Sequence, residues 1–138
     1  MKQQQISSKG LITRCTNYKE SDRIFTLISE EEGLMKFIAR GAKKPKSKLS
    51  GHIEPLNYVN IFYRKGAGLN AVSQVESLNS FLDIKKKYDL ILDAQYLMEL
   101  AENLSVEGEG NTFLFKGLIN TLSNIASETN KDIQVMIF

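Results

Sequence analysis

The sequence has few of the residues that usually carry enzyme chemistry: among 138 residues there is one cysteine, one histidine and no tryptophan. The single Cys15 excludes a disulfide within the chain, and Cys15 with His52 supplies too few ligands for a zinc site. The two could form a nucleophilic pair, but Cys15 lies in a strand-like segment, His52 follows a glycine in a loop, and no third group orients them. We therefore expect no metal, no cofactor and no enzymatic activity.

Long apolar segments are also missing. No uninterrupted apolar stretch reaches about 18 residues, the length at which a helix becomes a candidate membrane span. The first ten residues, MKQQQISSKG, contain no apolar segment of the signal-peptide type. We expect a soluble, cytoplasmic protein without a membrane partner. The apolar final segment, DIQVMIF, predicts either a chain that is the front part of a longer protein or an end that packs across the barrel.

Positive charge is present, and it is concentrated in the first part of the chain. Residues 1–82 contain 13 basic and 7 acidic side chains, a net charge of +6, whereas residues 83–138 contain 5 and 9, a net charge of −4. The stretch ARGAKKPKSKLSGHIEP, residues 39–55, has five cations between Arg40 and Lys48 and no acidic residue before Glu54. This asymmetry indicates two segments with different partners, of which the first favours an anion.

The first 80 residues predict five short β-strands, rich in β-branched and aromatic residues and bounded by turn residues: GLITRCTNY, DRIFTLIS, LMKFIAR, LNYVNIFYR and NAVSQVESL. EEEG at 30–33 and RKGAG at 64–68 fit hairpin turns, where glycine supplies a positive φ. A long basic connection containing Pro55, which cannot donate to a β-ladder, separates the third strand from the fourth. Five strands with one long connection predict a small barrel in residues 1–80.

After residue 80 the apolar residues follow the spacing of amphipathic helices. One stripe predicts a helix from about Ile84 to Leu104 with Asp83 as its N-cap; its members are Leu90, Ala94, Leu97, Ala101 and Leu104. The lysines at 85–87 would lie in the first turn, where the macrodipole disfavours cations. They form either an extension of the anion surface or a solvated face, and the solvated face is the preferred interpretation.

A second helix is predicted after the break VEGEGN at 106–111. Asn111 or Thr112 can cap it, and its apolar stripe extends to Ala126 before SETNK at 127–131 interrupts it. Residues 81–138 are therefore interpreted as the start of a helical domain that is truncated.

The candidate anion site begins on the third strand. Because side chains alternate along a strand, Lys36 and Arg40 share one face, about 13 Å apart at about 3.3 Å per residue. That separation suits about two phosphates of an extended nucleic-acid strand. Further lysines continue the positive field through the loop: Lys43, Lys44, Lys46 and Lys48. We expect this loop to be flexible, to contribute to nucleic-acid binding and to contribute hardly at all to folding.

The fourth strand adds an aromatic component. Single-stranded nucleic acid binds where bases stack on aromatic rings while cations follow the backbone, so Tyr63 and Arg64 join the candidates. The alternation of side chains along this strand does not show which of its two faces is exposed to solvent. Either Tyr58 and Phe62 lie in the core and Tyr63 at the surface, or the reverse, and core burial is the usual fate of an aromatic residue.

The segment YKESDRIFTLISEEEGLMKFIARGAKKPKSKLSGHIEPLNYV resembles the N-terminal domain of the bacterial RecO family. That family has an E-S-D-R-I-x-T-L strand, a G-x-L hairpin leading to A-R-G-A-R-R-P-K-S, and an L-G-x-L-E-P segment. The likeness covers about residues 8–80, and YLMELAENL resembles the helical domain that follows in the family. Here Lys43 and Lys44 stand where Arg is common, and Leu34-Met35-Lys36 shifts the hairpin lysine relative to the frequent G-K-L.

The resemblance implies an OB-fold that binds single- and double-stranded DNA, promotes strand annealing, and works with RecR and single-stranded-DNA-binding protein to load recombinase. It places DNA contacts at Lys36, Arg40 and the loop lysines Lys43, Lys44, Lys46 and Lys48. Family members continue for about another hundred residues through more helices and, in many, a four-cysteine zinc module with the geometry usual for that metal.

Two hypotheses of different kinds follow. In the first, the chain is a non-catalytic DNA-binding module of recombinational repair. In the alternative, the acidic, apolar-striped helical half binds a partner protein or peptide and the barrel is its scaffold. An enzyme has the least support, because no nucleophile, base and orienting group can be placed together.

Overall fold

The computed structural model describes the backbone of residues 5–136 and the side chains of residues 5–127. Within this range the chain forms five strands followed by three helices. The strands are β1 (Ile6–Tyr18), β2 (Asp22–Ser29), β3 (Gly33–Ala39), β4 (Tyr58–Arg64) and β5 (Asn70–Asn79). The helices are α1 (Leu82–Lys85), α2 (Tyr88–Leu104) and α3 (Thr112–Met136).

The strands close into a barrel in the order β1-β2-β3-β5-β4. The long strand β1 pairs antiparallel with β4 through its first part and with β2 through its second. A short parallel pairing of β3 with β5, at Phe37↔Asn70 and Ile38↔Ala71, completes the closure. The predicted five-stranded OB-fold followed by helices is confirmed, although β1 begins at Ile6, before the predicted Gly10.

The barrel interior is filled by the inward-facing residues of the strands. The rings of Phe25 and Phe37 are stacked with centroids 5.4 Å apart, and Phe37 meets Tyr63 edge-on at 5.0 Å. Aliphatic side chains such as Leu27 and Ile61 surround the rings and are fully buried. Burial of apolar surface at about 25 cal/mol per Å² is the main stabilisation of such an interior.

The long connection between β3 and β4, residues 40–57, is called here the basic connection. Its backbone is fixed by hydrogen bonds: the N–H of Gly41 donates to Asp22 Oδ1 (2.8 Å), and the N–H of Lys43 donates to the carbonyl of Ser21 (2.9 Å). Its apolar residues Ala42 and Ile53 are fully buried in the barrel core. The expectation that this loop hardly matters for folding is wrong, because its apolar residues Ala42 and Ile53 form part of the barrel core.

The helical half begins differently from the prediction. Asp83 is not an N-cap: it lies in the first turn of the short helix α1, which is preceded by Phe81 in the left-handed region. The chain then breaks at Lys86 and Lys87, and α2 begins at Tyr88. The break divides the lysines: Lys85 lies in the last turn of α1, where the helix dipole favours a cation, whereas Lys87 is the N-cap residue of α2.

The helix α3 is capped as predicted, since the N–H of Leu114 donates to Asn111 Oδ1 (2.9 Å). It extends to Met136, so the predicted interruption at 127–131 is wrong. The packing expected for the final apolar segment concerns side chains outside the described residues.

A second apolar core joins the helices to the outside of the barrel. It combines Leu11 and Ile28 of the barrel with residues of the helices such as Met98, Phe115 and Leu122. Glu102 of α2 also accepts hydrogen bonds from Thr13 Oγ1 and Arg14 of β1. The barrel and the helices therefore share buried surface.

The β2–β3 hairpin also interlocks with the α2–α3 connection. The N–H of Leu34 donates to the carbonyl of Val106 (3.2 Å). Gly33 has φ +71°, and a Cβ there would lie 2.3 Å from the carbonyl oxygens of Val106 and Glu109. Only glycine fits this close approach of two backbones. No helix among the described residues is long and apolar enough to cross a membrane.

Candidate nucleic-acid interface

A groove crosses the outer face of β3 between two loops, the β1–β2 turn and the β4–β5 hairpin, and is called here the barrel groove. Its volume is about 510 Å³. Outward-facing Ile38 lies in it, together with Leu69 and Ala71. Four cationic side chains also line it: Lys19, Arg40, Arg64 and Lys65. The groove thus combines an apolar surface with cations from two loops and two strand ends.

The lining of the barrel groove contains four cations and one carboxylate, so a net charge of +3 remains. The one carboxylate of its lining, Asp22, accepts the N–H of Gly41 and the hydroxyl of Ser21. The salt bridges among the described side chains are Arg14–Glu102 and Lys85–Glu54, both outside the groove. Its cations are therefore available to an anion, and the groove favours phosphates.

An aromatic ring stands at one end of the barrel groove. Tyr18 is the last residue of β1 and is 40% exposed. The Nζ of Lys19 lies 5.3 Å from the centroid of this ring, at the distance of a cation–π contact. Lys19 adopts φ 55°, which turns the chain towards β2. A ring and a cation held together at a groove end can receive a base and its phosphate.

The structure brings only some of the predicted site residues into this groove. Arg40 and Arg64 line it, whereas Lys36 is exposed on the same outward face of β3, beside Thr26 in the register. The remaining lysines are exposed along the basic connection, outside the groove lining: Lys43, Lys44, Lys46 and Lys48. Because the backbone of Lys43 is tied to Ser21, the connection starts next to the β1–β2 turn.

Tyr63 is a correction to the predicted site. Its side chain is fully buried in the barrel core against Phe37, so its ring cannot stack on a base. Burial also raises the pKa of its phenol above 10.0. The opposite face of β4 points outward, with half-buried Phe62 and with Tyr58 edge-on to Phe115 of α3. Of the two alternatives that the alternation allows, the structure adopts the one with Tyr63 inside.

Sequence reasoning missed Tyr18, Lys19 and Lys65. Tyr18 and Lys19 lie in a turn that contains no run of charge, and the sequence around Lys65 indicates only a hairpin. The signal that could have found them is topological. In a five-stranded OB barrel the β1–β2 and β4–β5 loops flank the same strand face, so their cations and aromatic residues meet there.

Neither Cys15 nor His52 forms a nucleophilic site. Burial raises the pKa of the Cys15 thiol to about 11, a shift partly opposed by Arg23. The Nδ1 of His52 pairs instead with Ser77 Oγ at 2.7 Å. Within the described residues no group of three His, Cys, Asp or Glu side chains could hold a metal ion. With one cysteine in all, this chain cannot itself form a four-cysteine zinc module.

The geometry defines a class: a closed five-stranded OB barrel with a basic groove on the strand face that such folds use to bind oligonucleotides and oligosaccharides. The family model described as "Recombination protein O N terminal" matches residues 1–81. The chain belongs to the RecO family.

Curated relatives extend the similarity beyond the barrel. The DNA repair protein RecO of Bacillus pumilus (strain SAFR-032) is 33% identical over 132 residues, covering 96% of this chain and 52% of that protein. DNA repair protein RecO of Bacillus subtilis (strain 168) is 32% identical over 129 residues, 94% of this chain and 51% of the relative. The DNA repair protein RecO of Syntrophomonas wolfei is 32% identical over 120 residues, which cover 87% of this chain and 48% of that protein. The chain spans about half the length of the curated relatives it matches.

Proposed function

We propose that the chain acts in DNA repair as a non-catalytic module that binds DNA without sequence preference through the barrel groove. The observation that supports this most is the groove lining, with four cations and a single carboxylate that is occupied by backbone and hydroxyl donors. Single strands fit this arrangement, because cations follow the phosphates while bases stack on a ring and on apolar side chains. Tyr18 is the proposed stacking residue.

The exposed lysines of the basic connection extend the proposed path beyond the barrel groove. The strand crosses the groove at Arg40 and Arg64 and continues along Lys43, Lys44, Lys46 and Lys48. Lys36 holds it at the other side of the same β3 face. Lysine binds phosphate as a point charge and does not offer the planar fork of arginine, so the contacts favour backbone charge over base identity.

The wider role is proposed from the family. The relatives are named DNA repair proteins, and the resemblance implies that double-stranded DNA is also bound and that strands are annealed. The same reasoning gives a RecR-like protein and a single-stranded-DNA-binding protein as partners in recombinase loading, in the cytoplasm. The division into an OB domain in residues 1–80 and the start of a helical domain in 81–138 is part of this proposal.

The test is the salt dependence of binding to a fluorescently labelled oligothymidylate, measured by anisotropy. Four phosphate contacts in the groove predict a slope of log K against log salt of about −3 for single strands. Contacts with the six cations from Lys36 to Lys48 predict a slope of about −4. Arg40→Glu combined with Arg64→Glu removes two of the groove contacts, so it should weaken binding and reduce the magnitude of the slope by about 1.4.

The matched control reverses two exposed cations outside the barrel groove, Lys9→Glu with Lys116→Glu, so that the net charge changes equally. This control should leave the slope unchanged. A slope near zero in the unaltered chain, or an equal loss in both double variants, would contradict the proposed groove. Circular dichroism of each variant confirms that the fold is retained.

A further inference from the structure

Asp22, the first residue of β2, is the one carboxylate in the lining of the barrel groove, among four cations. A carboxylate repels phosphate, so charge alone makes this residue unfavourable in a surface that binds DNA. Among the described side chains Asp22 forms no salt bridge with any of the four cations. Pairing with a cation of the groove therefore does not account for its position.

The carboxylate of Asp22 binds the backbone directly after Arg40. Its Oδ1 accepts the N–H of Gly41 at 2.8 Å and the hydroxyl of Ser21 at 3.3 Å. A hydrogen bond from a backbone N–H to a charged acceptor is stronger than one between neutral groups. The N–H of Gly41 belongs to the planar peptide group that joins it to Arg40, so this bond fixes the orientation of that group. Asp22 thus holds the point from which the Arg40 side chain reaches the groove.

The backbone at Gly41 has few other restraints. Gly41 adopts φ +71°, and glycine loses more conformational freedom on folding than any other residue. A Cβ built at this position would meet only the Cδ of Lys44 among the described atoms, at 3.8 Å, so little packs against the residue. The carbonyl of Gly41 accepts the N–H of Lys44 at 3.0 Å within the following turn. The bond to Asp22 is therefore the contact that ties this turn to the barrel.

The far end of the basic connection is held by other groups. Arg23, the next residue of β2, donates from Nη1 to the carbonyl of Ile53 (2.6 Å), and the side chain of Ile53 is fully buried. The N–H of Leu56 donates to the carbonyl of Ile12 in β1 (2.7 Å). Loss of the Asp22 carboxylate should therefore loosen the start of the connection, while its far end and the barrel remain folded.

We infer that Asp22 is a positioning residue for nucleic-acid binding: its carboxylate holds the peptide between Arg40 and Gly41, so that Arg40 is ordered before a strand binds. The inference rests on the proposed function and gives the one acidic residue of the groove a favourable effect on affinity. Without the hydrogen bond, the backbone at Arg40 and Gly41 becomes ordered only when the strand binds. Fixing the backbone of a single residue lowers an affinity by roughly tenfold.

Two substitutions that change the charge equally separate positioning from electrostatics. Asp22→Asn keeps an Oδ1 that can accept the N–H of Gly41, whereas Asp22→Ala has no acceptor. Affinity for a labelled oligothymidylate is measured by anisotropy. Asp22→Asn should bind more tightly than the unaltered chain, because the groove becomes more positive, and Asp22→Ala should bind about tenfold more weakly than Asp22→Asn. Equal affinities of the two variants would overturn the inference, because Asp22 would then act only through its charge.

Two further measurements distinguish positioning from a general loss of structure. In an Arg40→Ala background the two variants should differ by less than about twofold, because Asp22 acts through Arg40. A difference that persists there at full size would overturn the inference. In hydrogen exchange, the amide of Gly41 should exchange faster in Asp22→Ala than in Asp22→Asn, while the amide of Leu56 should exchange at the same rate in both. Faster exchange at both amides would show that Asp22 supports the whole fold and would also overturn the inference.

The unaltered chain separates this inference from the proposed function. If it does not bind the oligothymidylate, the proposed function and the role of Asp22 are both wrong. If it binds with the expected salt dependence and the two Asp22 variants bind equally, the proposed function stands and only the role of Asp22 is wrong.

Discussion

Cys15 shows how burial determines the chemistry of a single residue. The residue sits on β1 against the barrel core, where desolvation disfavours the thiolate. The guanidinium of Arg23 opposes this shift and Glu54 adds to it. Since the thiolate is the reactive form, the residue behaves as a small apolar group that fills space.

The pH profile of alkylation by iodoacetamide tests this environment. In the folded chain the rate should rise with a midpoint near pH 11, because burial raises the pKa of the Cys15 thiol to about 11. In urea the midpoint should return to about 9, the ordinary value for the unfolded thiol. Below pH 9 the folded chain should react about a hundredfold more slowly, since two pKa units change the thiolate fraction by that factor. Equal profiles would show that Cys15 is exposed.

The same residue-scale reasoning explains why Tyr63 could not be placed from the sequence. Alternation in β4 gives two faces, and both contain aromatic residues, so composition does not select the inner one. The choice is made by neighbours on other strands, because Phe37 and Val72 meet Tyr63 only when the barrel closes. The exposed face of β3 could be predicted from the sequence, since Lys36 and Arg40 cannot be buried without partners.

At the scale of elements, the basic connection combines two roles that its sequence interleaves. Ala42 and Ile53 are buried in the barrel, while Lys43 and Lys44 between them are exposed. Because its apolar residues are buried, the connection is part of the core. Because its cations are exposed, it also forms a cationic surface. Each role should therefore respond to a different substitution.

Paired variants of the basic connection separate these roles. Ile53→Ala should lower the free energy of unfolding by about 2–5 kcal/mol, as for other large-to-small core substitutions, while the folded protein keeps its DNA affinity. Lys43→Glu with Lys44→Glu should change stability by less than about 0.5 kcal/mol and weaken DNA binding. Urea unfolding and oligonucleotide anisotropy measure the two effects. A large stability loss in the charge variant would contradict this division.

The helices show which signals at this scale are reliable. The stripe from Leu90 to Leu104 and the cap at Asn111 are local patterns, and both appear in α2 and α3. The predicted start of α2 is wrong because two local signals conflict. Asp83 favours a helix that starts there, whereas the lysines at 85–87 disfavour it, and the sequence alone does not show which effect is larger. The interruption at 127–131 was expected from polar composition, yet the helix continues through it.

At the scale of the whole molecule, the barrel and the helices are held together by two kinds of contact. One is the apolar core that includes Leu11, Ile28 and Met98, and the other is the interlock of Gly33 with Val106 and Glu109. The division at residue 80 marks a change of secondary structure, whereas the packing crosses it. We expect the two halves to unfold together.

Gly33→Ala tests this coupling. The substitution adds strain at φ +71° and a clash with two carbonyl oxygens, so it should lower the free energy of unfolding by about 2 kcal/mol or more. Methyl resonances of Leu27 in the barrel and Leu122 in α3 should lose intensity at the same urea concentration in both proteins. Gly117→Ala is the control and should raise stability by about 0.5–1 kcal/mol. Separate transitions for the two methyl groups would show independent halves.

The barrel, its strands and its basic strand face could be predicted because alternation, turn glycines and charge are local properties. The barrel groove could not be predicted from spacing, because Lys19 and Arg40 are brought together with Arg64 and Lys65 only by closure of the sheet. The contact of the helices with β1 and β2 could not be predicted from the sequence either. Leu11 and Ile28 look like ordinary strand residues, and only their packing shows that they face α2 and α3.

If the lysines of the basic connection bind DNA as proposed, the hydrogen bonds that fix the connection also influence how fast they bind it. A disordered cationic tail loses chain entropy at the moment of binding. In this connection Gly41 and Lys43 are already bonded to Asp22 and Ser21, so only the side chains remain to be ordered. Association is then governed by diffusion and charge, without a slow ordering step, and it should accelerate as salt is removed.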